Sequence, residues 1–455
     1  MDDTMQSCAK IIGVSSPETD ICAAASRIST MNGTALTLFQ KSVDNANNQK
    51  LIKAVLSSGH QSVMEHCSFN VAFNNVSVFV EQFIIEFRLA SFTVQSRRYV
   101  DFSNVGFYTD PSLSEETATE YNDHIRKLFA AYGELLKLDI PKEDARFVLP
   151  YCFHSNFFCS CNSRELLHII CSMIYGRGSV FPEIETLGKQ LAEQFEEYFP
   201  NEISKHAKEY SREKETALEW CESLRGRKHN APAAVSASVA IVSHSSVSEK
   251  ELLGLSGFNF ASLGKDEECD ISDILLSTRS RELEFINISY LINDISLSSI
   301  THLVRHRMQS VMVPCIGNAV YSDSYILPES IVSNEDALKI YTDAFENNYS
   351  FYDKMLEKGL SPVNSVYFAL SGNTLNVMTC MNARELVHFF RLRLCNRAQW
   401  EIRQIAESML DIAKGLYPVI FNRVGPSCVL RGTCPEGAKS CGKIKEILQS
   451  RNNQI

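Results

Sequence analysis

Asn162-Ser163-Arg164-Glu165-Leu166-Leu167-His168 and Asn382-Ala383-Arg384-Glu385-Leu386-Val387-His388 are one heptad written twice, differing only at the second and sixth positions. They are 220 residues apart (382 less 162), and two further pairs keep nearly the same offset. Arg88-Leu89-Ala90-Ser91 matches Arg307-Met308-Gln309-Ser310, and Glu65 matches Glu284, both at 219. Self-similarity at a fixed period indicates a tandem duplication. Each heptad opens on Asn, a good helix N-cap, and has Glu three residues later, a capping-box pattern ahead of apolar residues at helical spacing. Arg164 and His168, like Arg384 and His388, are then one turn apart on one helix face.

Outward from the heptads, Ser77 to Ile85 and Ser296 to Val304 read as short helices, each leading into an arginine-containing turn. Cys67 to Phe73 and Phe285 to Leu291 alternate as strands do. The predicted class is α+β: two tandem domains, each an antiparallel sheet with packed helices, paired as a pseudo-dimer. The mixed-charge stretch Ile203 to Asn230 supplies a boundary, so the copies are expected over residues 1–215 and 216–455. Residues 254–276, beginning Gly254-Leu255-Ser256-Gly257, read as an irregular insertion.

A chain of 455 residues with 45% apolar and 22% charged residues has room for two large domains and the composition of a folded enzyme. A net charge of −10 argues against a nucleic-acid polymer as partner, since that needs a broad cationic surface. No apolar run approaches the roughly 18 residues of a membrane span, and Met1-Asp2-Asp3 does not begin a secretory signal, so a cytoplasmic location is expected. Fifteen cysteines, an odd number without an export signal, are expected to be reduced thiols.

Chemistry concentrates in a few places. Arg305-His306-Arg307, followed by Ser310, gathers cationic side chains that an anion would stabilise. Ser96-Arg97-Arg98-Tyr99 offers a hydroxyl, two guanidinium forks and a phenol, a set suited to a phosphate and a planar base. A solvated basic turn and a loop pinned by surface ion pairs are the alternatives at these two sites. His60-Gln61-Ser62-Val63-Met64-Glu65-His66 lacks the HExxH spacing and reads as hydrogen-bonded histidines rather than zinc ligands. Cys428, Cys434 and Cys441 lie in a Gly- and Pro-rich tail, Gly425 to Gly442; they could hold a metal with a fourth ligand from elsewhere, but a CxxC pair is missing. No metal ligand is assigned. GxGxxG, P-loop and GxSxG motifs are absent, so a redox cofactor must use another fold.

Together these residues resemble the flavin-dependent thymidylate synthases, whose hallmark is RHRxxSxxxxSxRY preceded by an HxSxxEH-like element. Copy one keeps Arg88, Ser91, Ser96, Arg98 and Tyr99 but has Glu86 and Phe87 where the hallmark begins Arg-His. Copy two keeps Arg305, His306, Arg307 and Ser310, then has Cys315, Gly317 and Asn318 at the later Ser, Arg and Tyr positions. Downstream the family has an arginine before a VLP element and another ahead of an AQWEI segment. Copy one has Arg146 before Val148-Leu149-Pro150, where copy two has Val366. Copy two has Arg393 before Ala398-Gln399-Trp400-Glu401-Ile402, where copy one has Met173 and no such segment.

The losses are complementary, and the resemblance gives them a meaning. Enzymes of this family are homotetramers whose deoxyuridylate site combines two subunits. The resemblance implies one composite site per chain, with Ser96, Arg97, Arg98 and Arg146 from copy one, and His302, Arg305 and Arg393 from copy two, around dUMP. The reciprocal site, with Glu86, Met173, Cys315, Gly317 and Val366, is expected to be dead. FAD is assigned to Ser62, Arg305, His306, Arg307, Asn382, Arg384 and His388. The implied reaction carries a methylene from methylenetetrahydrofolate to dUMP, giving dTMP with NADPH as reductant, and Arg393 is the expected catalytic group at the uracil edge. Two alternatives stay open: modification of another pyrimidine nucleotide, which His302 at the base-facing position allows, and a non-catalytic nucleotide- or flavin-binding role. Two chains are expected to associate as a homodimer, restoring four domains.

Overall fold

The computed structural model describes residues 7–249 and 271–452. Most of the insertion expected at 254–276 lies outside these; its last residues, Ile271–Leu276, form a short helix. The chain forms two compact units, one comprising the residues up to Ala231 together with Ser330–Ser371, the other Pro232–Glu329 and the residues from Gly372 onward. The boundary expected at 215/216 falls inside the helix Ser211–Ser223. That helix stays with the first unit because Glu213 accepts from the Ser172 hydroxyl at 3.0 Å and the Arg177 N–H at 3.4 Å, while Cys221 and Leu224 are buried.

Each unit holds a four-stranded antiparallel sheet of the same order. In the first it is β1 (Cys8–Val14), β2 (Ser68–Ser77), β4 (His154–Asn162), β3 (Ser91–Val94); in the second it is β6 (Ser238–His244), β7 (Asn287–Ser296), β10 (Thr374–Asn382), β8 (Gln309–Met312). A short parallel pair, β5 (Ala233–Val235) with β9 (Ser324–Ile326), belongs to the second unit. The strands expected from Cys67 and Phe285 are β2 and β7, and their register agrees residue for residue: Ser68 faces Asn162 as Asn287 faces Asn382. Both sheets also break at the same place. Asn75 (φ 50°) and Asp294 (φ 53°) adopt the left-handed conformation, and their N–H groups donate to Asn156 Oδ1 and Asn376 Oδ1, each at 2.9 Å. Asn and Asp tolerate this conformation better than other L-residues do, so each bulge sits where its residue costs least.

The predicted short helices form as Val78–Ile85 and Leu297–Leu303, capped by the hydroxyls of Ser77 and Ser296. The heptads begin the helices Ser163–Ile174 and Ala383–Arg393, with Asn162 and Asn382 accepting from the N–H of Glu165 and Glu385. Only half of each capping box is used. Glu165 Oε1 accepts instead from the Leu89 N–H at 3.2 Å, and Glu385 Oε1 from His306 Nδ1 at 2.8 Å, so each glutamate ties its helix to the arginine-containing turn.

The first unit also contains two 23-residue helices, Glu115–Lys137 and Glu335–Glu357, one from each copy. Tyr121, Ile125, Leu128 and Tyr132, and likewise Tyr341, Phe345, Tyr349 and Tyr352, are buried at helical spacing. Between them His124 Nε2 donates to Asn348 Oδ1 at 3.0 Å and stacks on Phe351 at 4.1 Å; burial pushes its pKa down to about 4. The segments that follow pair reciprocally: Tyr151 N–H donates to Ala369 O at 2.8 Å, and Ser371 N–H to Leu149 O at 2.9 Å. Residue i bonding j while the equivalent of i bonds the equivalent of j is the mark of a two-fold interface. The two copies thus meet here as pseudo-symmetric partners. Among the described residues no helix is long and apolar enough to cross a membrane.

Candidate functional site

The first unit brings together the arginines that the sequence singled out. Arg97, the inward residue of the loop after β3, donates to Glu81 Oε1 at 3.1 Å, a pair buried on both sides. Ser155 Oγ donates to the other oxygen of Glu81 at 2.6 Å. Arg98, half-buried, donates through Nε to Glu143 Oε2 at 2.7 Å. Arg146, 3% exposed, bonds the Glu143 carbonyl through Nε, yet its Nη2 is buried with no hydrogen-bond partner. Burial first, then the positive charges of Arg97 and Arg98, pull the Arg146 pKa down to about 9. A buried guanidinium nitrogen without an acceptor is costly, and an anion placed on it would relieve both the missing bond and the repulsion. Ser96 lies half-buried in the same loop, its Oγ 3.4 Å from the Arg98 N–H.

In the second unit the turn after the helix Leu297–Leu303 is built around His306. Arg393 Nε donates to His306 Nε2 at 3.0 Å, and Arg393 Nη2 to the His302 carbonyl at 2.9 Å. Since guanidinium only donates, Nε2 must accept, and the ring proton sits on Nδ1, which donates to Glu385. Burial holds the His306 pKa below the ordinary value, with Glu385 opposing and Arg393 adding to the shift. The ring is therefore a neutral, oriented link between a carboxylate and a guanidinium. Gln309 fixes the turn beneath it, donating to the carbonyls of Leu303 and His306 at 2.7 and 2.8 Å. Arg305 and Arg307 flank His306 and are exposed, as is His388 on the neighbouring helix. Arg384, half-buried, pairs with Glu284 at 2.5 Å.

The first copy repeats the frame of this turn without its histidine and arginine. Glu65 pairs with Arg164 at 2.7 Å as Glu284 does with Arg384, so the carboxylate of the His60–His66 segment serves an ion pair. Ser62 is exposed on the 3₁₀ turn Gln61–His66 that carries Glu65. Where copy two has His306, Phe87 is buried edge-on to His168 at 5.1 Å. Where it has Arg393, Met173 is fully buried. Glu86, in the place of Arg305, pairs with Arg177 at 2.9 Å. Asn382 serves as helix cap.

One group of three metal-capable ligands lies within 4.8 Å of one another among the described residues: His306, Glu385 and His388. Both nitrogens of His306 are committed to Glu385 and Arg393, and the guanidinium would oppose a cation there.

The absence of an AQWEI counterpart in copy one is corrected by the structure. Phe181-Pro182-Glu183-Ile184 starts the helix Pro182–Glu196 as Gln399-Trp400-Glu401-Ile402 starts Trp400–Leu416, at an offset of 218 (401 less 183). Glu183 Oε1 accepts from the Ser77 N–H at 2.8 Å, and Glu401 Oε1 from the Ser296 N–H at 2.7 Å. Each buried glutamate locks the N-cap serine of the helix that delivers the arginine-containing turn. Only the glutamate and the following isoleucine survive in sequence, too little to stand out. The supports Glu81, Glu143 and Gln309 were also missed, because nothing local marks a residue that acts through its neighbours.

The model of the family described as thymidylate synthase complementing protein matches residues 10–201 and 227–419. The flavin-dependent thymidylate synthase of Geobacter sulfurreducens is 31% identical over 222 residues, covering 46% of this chain and 95% of that protein. That of Clostridium tetani is 34% identical over 182 residues, covering 36% and 73%, and that of Sulfolobus acidocaldarius 39% identical over 149 residues, covering 32% and 57%. A solved structure of thymidylate synthase X from Helicobacter pylori, with FAD and dUMP, covers 44% of this chain and all of its own at 19% identity and a TM-score of 0.36, too slight a likeness to add to the family match. Two matched segments covering most of the chain, each framing one of the sheets described above, make this chain a member of the thymidylate synthase complementing protein family with its domain present twice.

Proposed function

We propose that this protein is a flavin-dependent thymidylate synthase that converts dUMP to dTMP, with one nucleotide site per chain drawing on both copies. The observation that carries the reading is the buried, unpartnered Nη2 of Arg146, on which the charges of Arg97 and Arg98 also act, a donor set that fits a nucleotide phosphate. The complementary losses support the division of labour: the copy that keeps Arg98 and Arg146 lacks Arg393, and the copy that keeps Arg393 has Cys315, Gly317 and Val366 instead.

The turn of the second copy suits a flavin dinucleotide. Exposed Arg305 and Arg307 offer guanidinium forks for a diphosphate, and Arg384 and His388 offer further donors. FAD, when bound, supplies the two-electron relay between NADPH and the pyrimidine. The protein's share is orientation and electrostatics. Arg393, held by His306 and the His302 carbonyl, would face the uracil edge and favour the electron density that moves toward C5–C6 as the carbon from methylenetetrahydrofolate is added. Neutral His306 keeps that guanidinium oriented without adding a charge of its own. Two such chains would associate as a homodimer, which light scattering measures.

The decisive experiment is an anaerobic assay of the purified full chain, first scanned for a flavin spectrum with and without added FAD, then given dUMP, methylenetetrahydrofolate and NADPH. Formation of dTMP supports the reading. Turnover of a different pyrimidine nucleotide would replace the substrate, and a colourless chain that takes up no FAD would end it.

A further inference from the structure

The C-terminal tail contains a second cluster that the proposed reaction does not use. Cys428 lies in the short helix Ser427–Arg431, which ends at Gly432 in the left-handed conformation. The Ser427 hydroxyl donates to the Arg391 carbonyl at 3.2 Å, seating this helix on Ala383–Arg393. Gly437 and Gly442, also left-handed, turn the chain again. Arg397 Nε then donates to the Lys439 carbonyl at 2.7 Å, and Asn396 Nδ2 approaches Cys441 Sγ at 3.8 Å. These bonds bring the tail back to the loop that holds Cys395.

Which side chains point inward is the informative part. From Arg431 to Lys443 every residue is exposed except Cys434, Ser440 and Cys441. The segment has no apolar core of its own, and its sulfurs occupy the place a core would take. All four cysteines are reduced. The bonds of Ser427 to Arg391, of Arg397 to Lys439 and of Asn396 to Cys441 hold the tail against the segment that carries Cys395, and thiolates gathered there can coexist only around a cation. Basic residues are carried on the same segments: Arg391 accepts from Ser427 through its carbonyl, Arg431 ends the Cys428 helix, and the Arg397 guanidinium donates to the Lys439 carbonyl. A divalent ion bound by four thiolates carries a net charge of −2, which that basic rim would offset.

We propose that Cys395, Cys428, Cys434 and Cys441 form a structural zinc site that pins the tail to the helix Ala383–Arg393. Four thiolates give zinc a closed tetrahedral shell with no open position for catalysis. Zn–S bonds of about 2.3 Å put the sulfurs roughly 3.8 Å apart. No three of these sulfurs lie mutually within 4.8 Å, so metal binding must draw in the exposed, glycine-hinged tail. The assignment does not depend on the thymidylate synthase reading.

The test uses the full chain expressed with zinc in the medium. Elemental analysis should find about one zinc per chain, absent from the Cys434→Ser, Cys441→Ser double variant and retained by Cys8→Ser. Cobalt added to metal-free wild-type chain should give the intense thiolate-to-metal charge-transfer bands of a tetrahedral sulfur site. Cys395, Cys434 and Cys441 should resist alkylation until a strong chelator is added. Zinc retained by the double variant overturns the site, as does a reduced wild-type chain that binds neither zinc nor cobalt. Bound iron with visible absorption would overturn the zinc assignment, and a native Cys434–Cys441 disulfide in protein purified without oxygen would replace it. Should the double variant fail to fold, the cobalt spectrum and alkylation of wild type decide by themselves.

Discussion

His306 and Phe87 stand at the same point of the repeat, 219 residues apart, in turns held by the same devices. Each turn follows a serine-capped helix, each serine is gripped by a buried glutamate, and each turn donates to the glutamate of its heptad. In copy two the centre is polar, with Glu385, His306 and Arg393 in one chain of hydrogen bonds. In copy one it is apolar, with Phe87 against His168 and Phe83 and Met173 fully buried. The lesson is that the frame persists without the site. Glu165, Glu183 and the Glu65–Arg164 pair are kept around a turn that has lost its histidine and arginine, so they hold the frame whatever the turn carries.

Attempting to repair copy one should break it. Met173→Arg would bury an unpaired charge against Gly178 and Gly188 and is expected to cost about 3–5 kcal/mol in chemical denaturation, while calorimetry still counts one nucleotide per chain. A second nucleotide bound by this variant would show that only one side chain separates the copies. The matching loss in copy two is functional. Arg393→Ala should lower the turnover of dUMP by roughly 10²–10³-fold with little change in melting temperature, and Arg146→Ala should weaken dUMP binding by a comparable factor. Tight nucleotide binding by both variants would refute the shared-site proposal.

The paired glutamates give a subtler contrast. Burial pushes Glu183 up to about 7, well above a carboxyl in the unfolded chain. Its folded form keeps the proton to higher pH, so its contribution is fully present below about pH 4.3 and is lost as pH rises through about 7. Glu183→Gln should flatten this decline, gaining on wild type by about 1–3 kcal/mol between pH 5 and 8. A melting temperature that tracks wild type across that range would rule out Glu183 as the titrating group. Weaker again, Asn75→Gly and Asp294→Gly should each change stability by no more than about 0.5–1 kcal/mol, because glycine also accepts the bulge conformation. A large loss at one site alone would mean that the two bulges are not equivalent.

How much was legible depended on whether the signal was local. Capping residues, helical spacing and strand alternation lie within a few positions of one another, and the helices at Val78 and Leu297 and strands β2 and β7 form where they were expected. The same locality misled at the heptads. The capping-box pattern of Glu165 and Glu385 is real as a sequence, but a turn distant in the chain competes for those carboxylates and wins. At 215/216 a run of mixed charge read as a solvated helix or a linker; it is a helix, but Glu213 and Cys221 pack it onto the first unit, which runs on to Ala231.

The sequence by itself determined the duplication, the antiparallel sheet with helices in each copy, the caps, and the arginines and histidines that carry the proposed chemistry, because identical residues at a fixed offset need no folding to be compared. Tertiary structure alone decided what those residues touch. It committed Arg97 to Glu81 and Arg98 to Glu143 and left Arg146 with an unanswered donor. It set the tautomer of His306 by placing Arg393 on one side and Glu385 on the other. It brought the C-terminal tail back so that Cys441 lies beside Asn396, the neighbour of Cys395. It also moved Ser330–Ser371 into the first copy's compact unit through the reciprocal bonds from Tyr151 N–H to Ala369 O and from Ser371 N–H to Leu149 O. Burial and long-range hydrogen bonding are properties of a packed chain, in which partners are chosen by distance in space and not by distance in sequence.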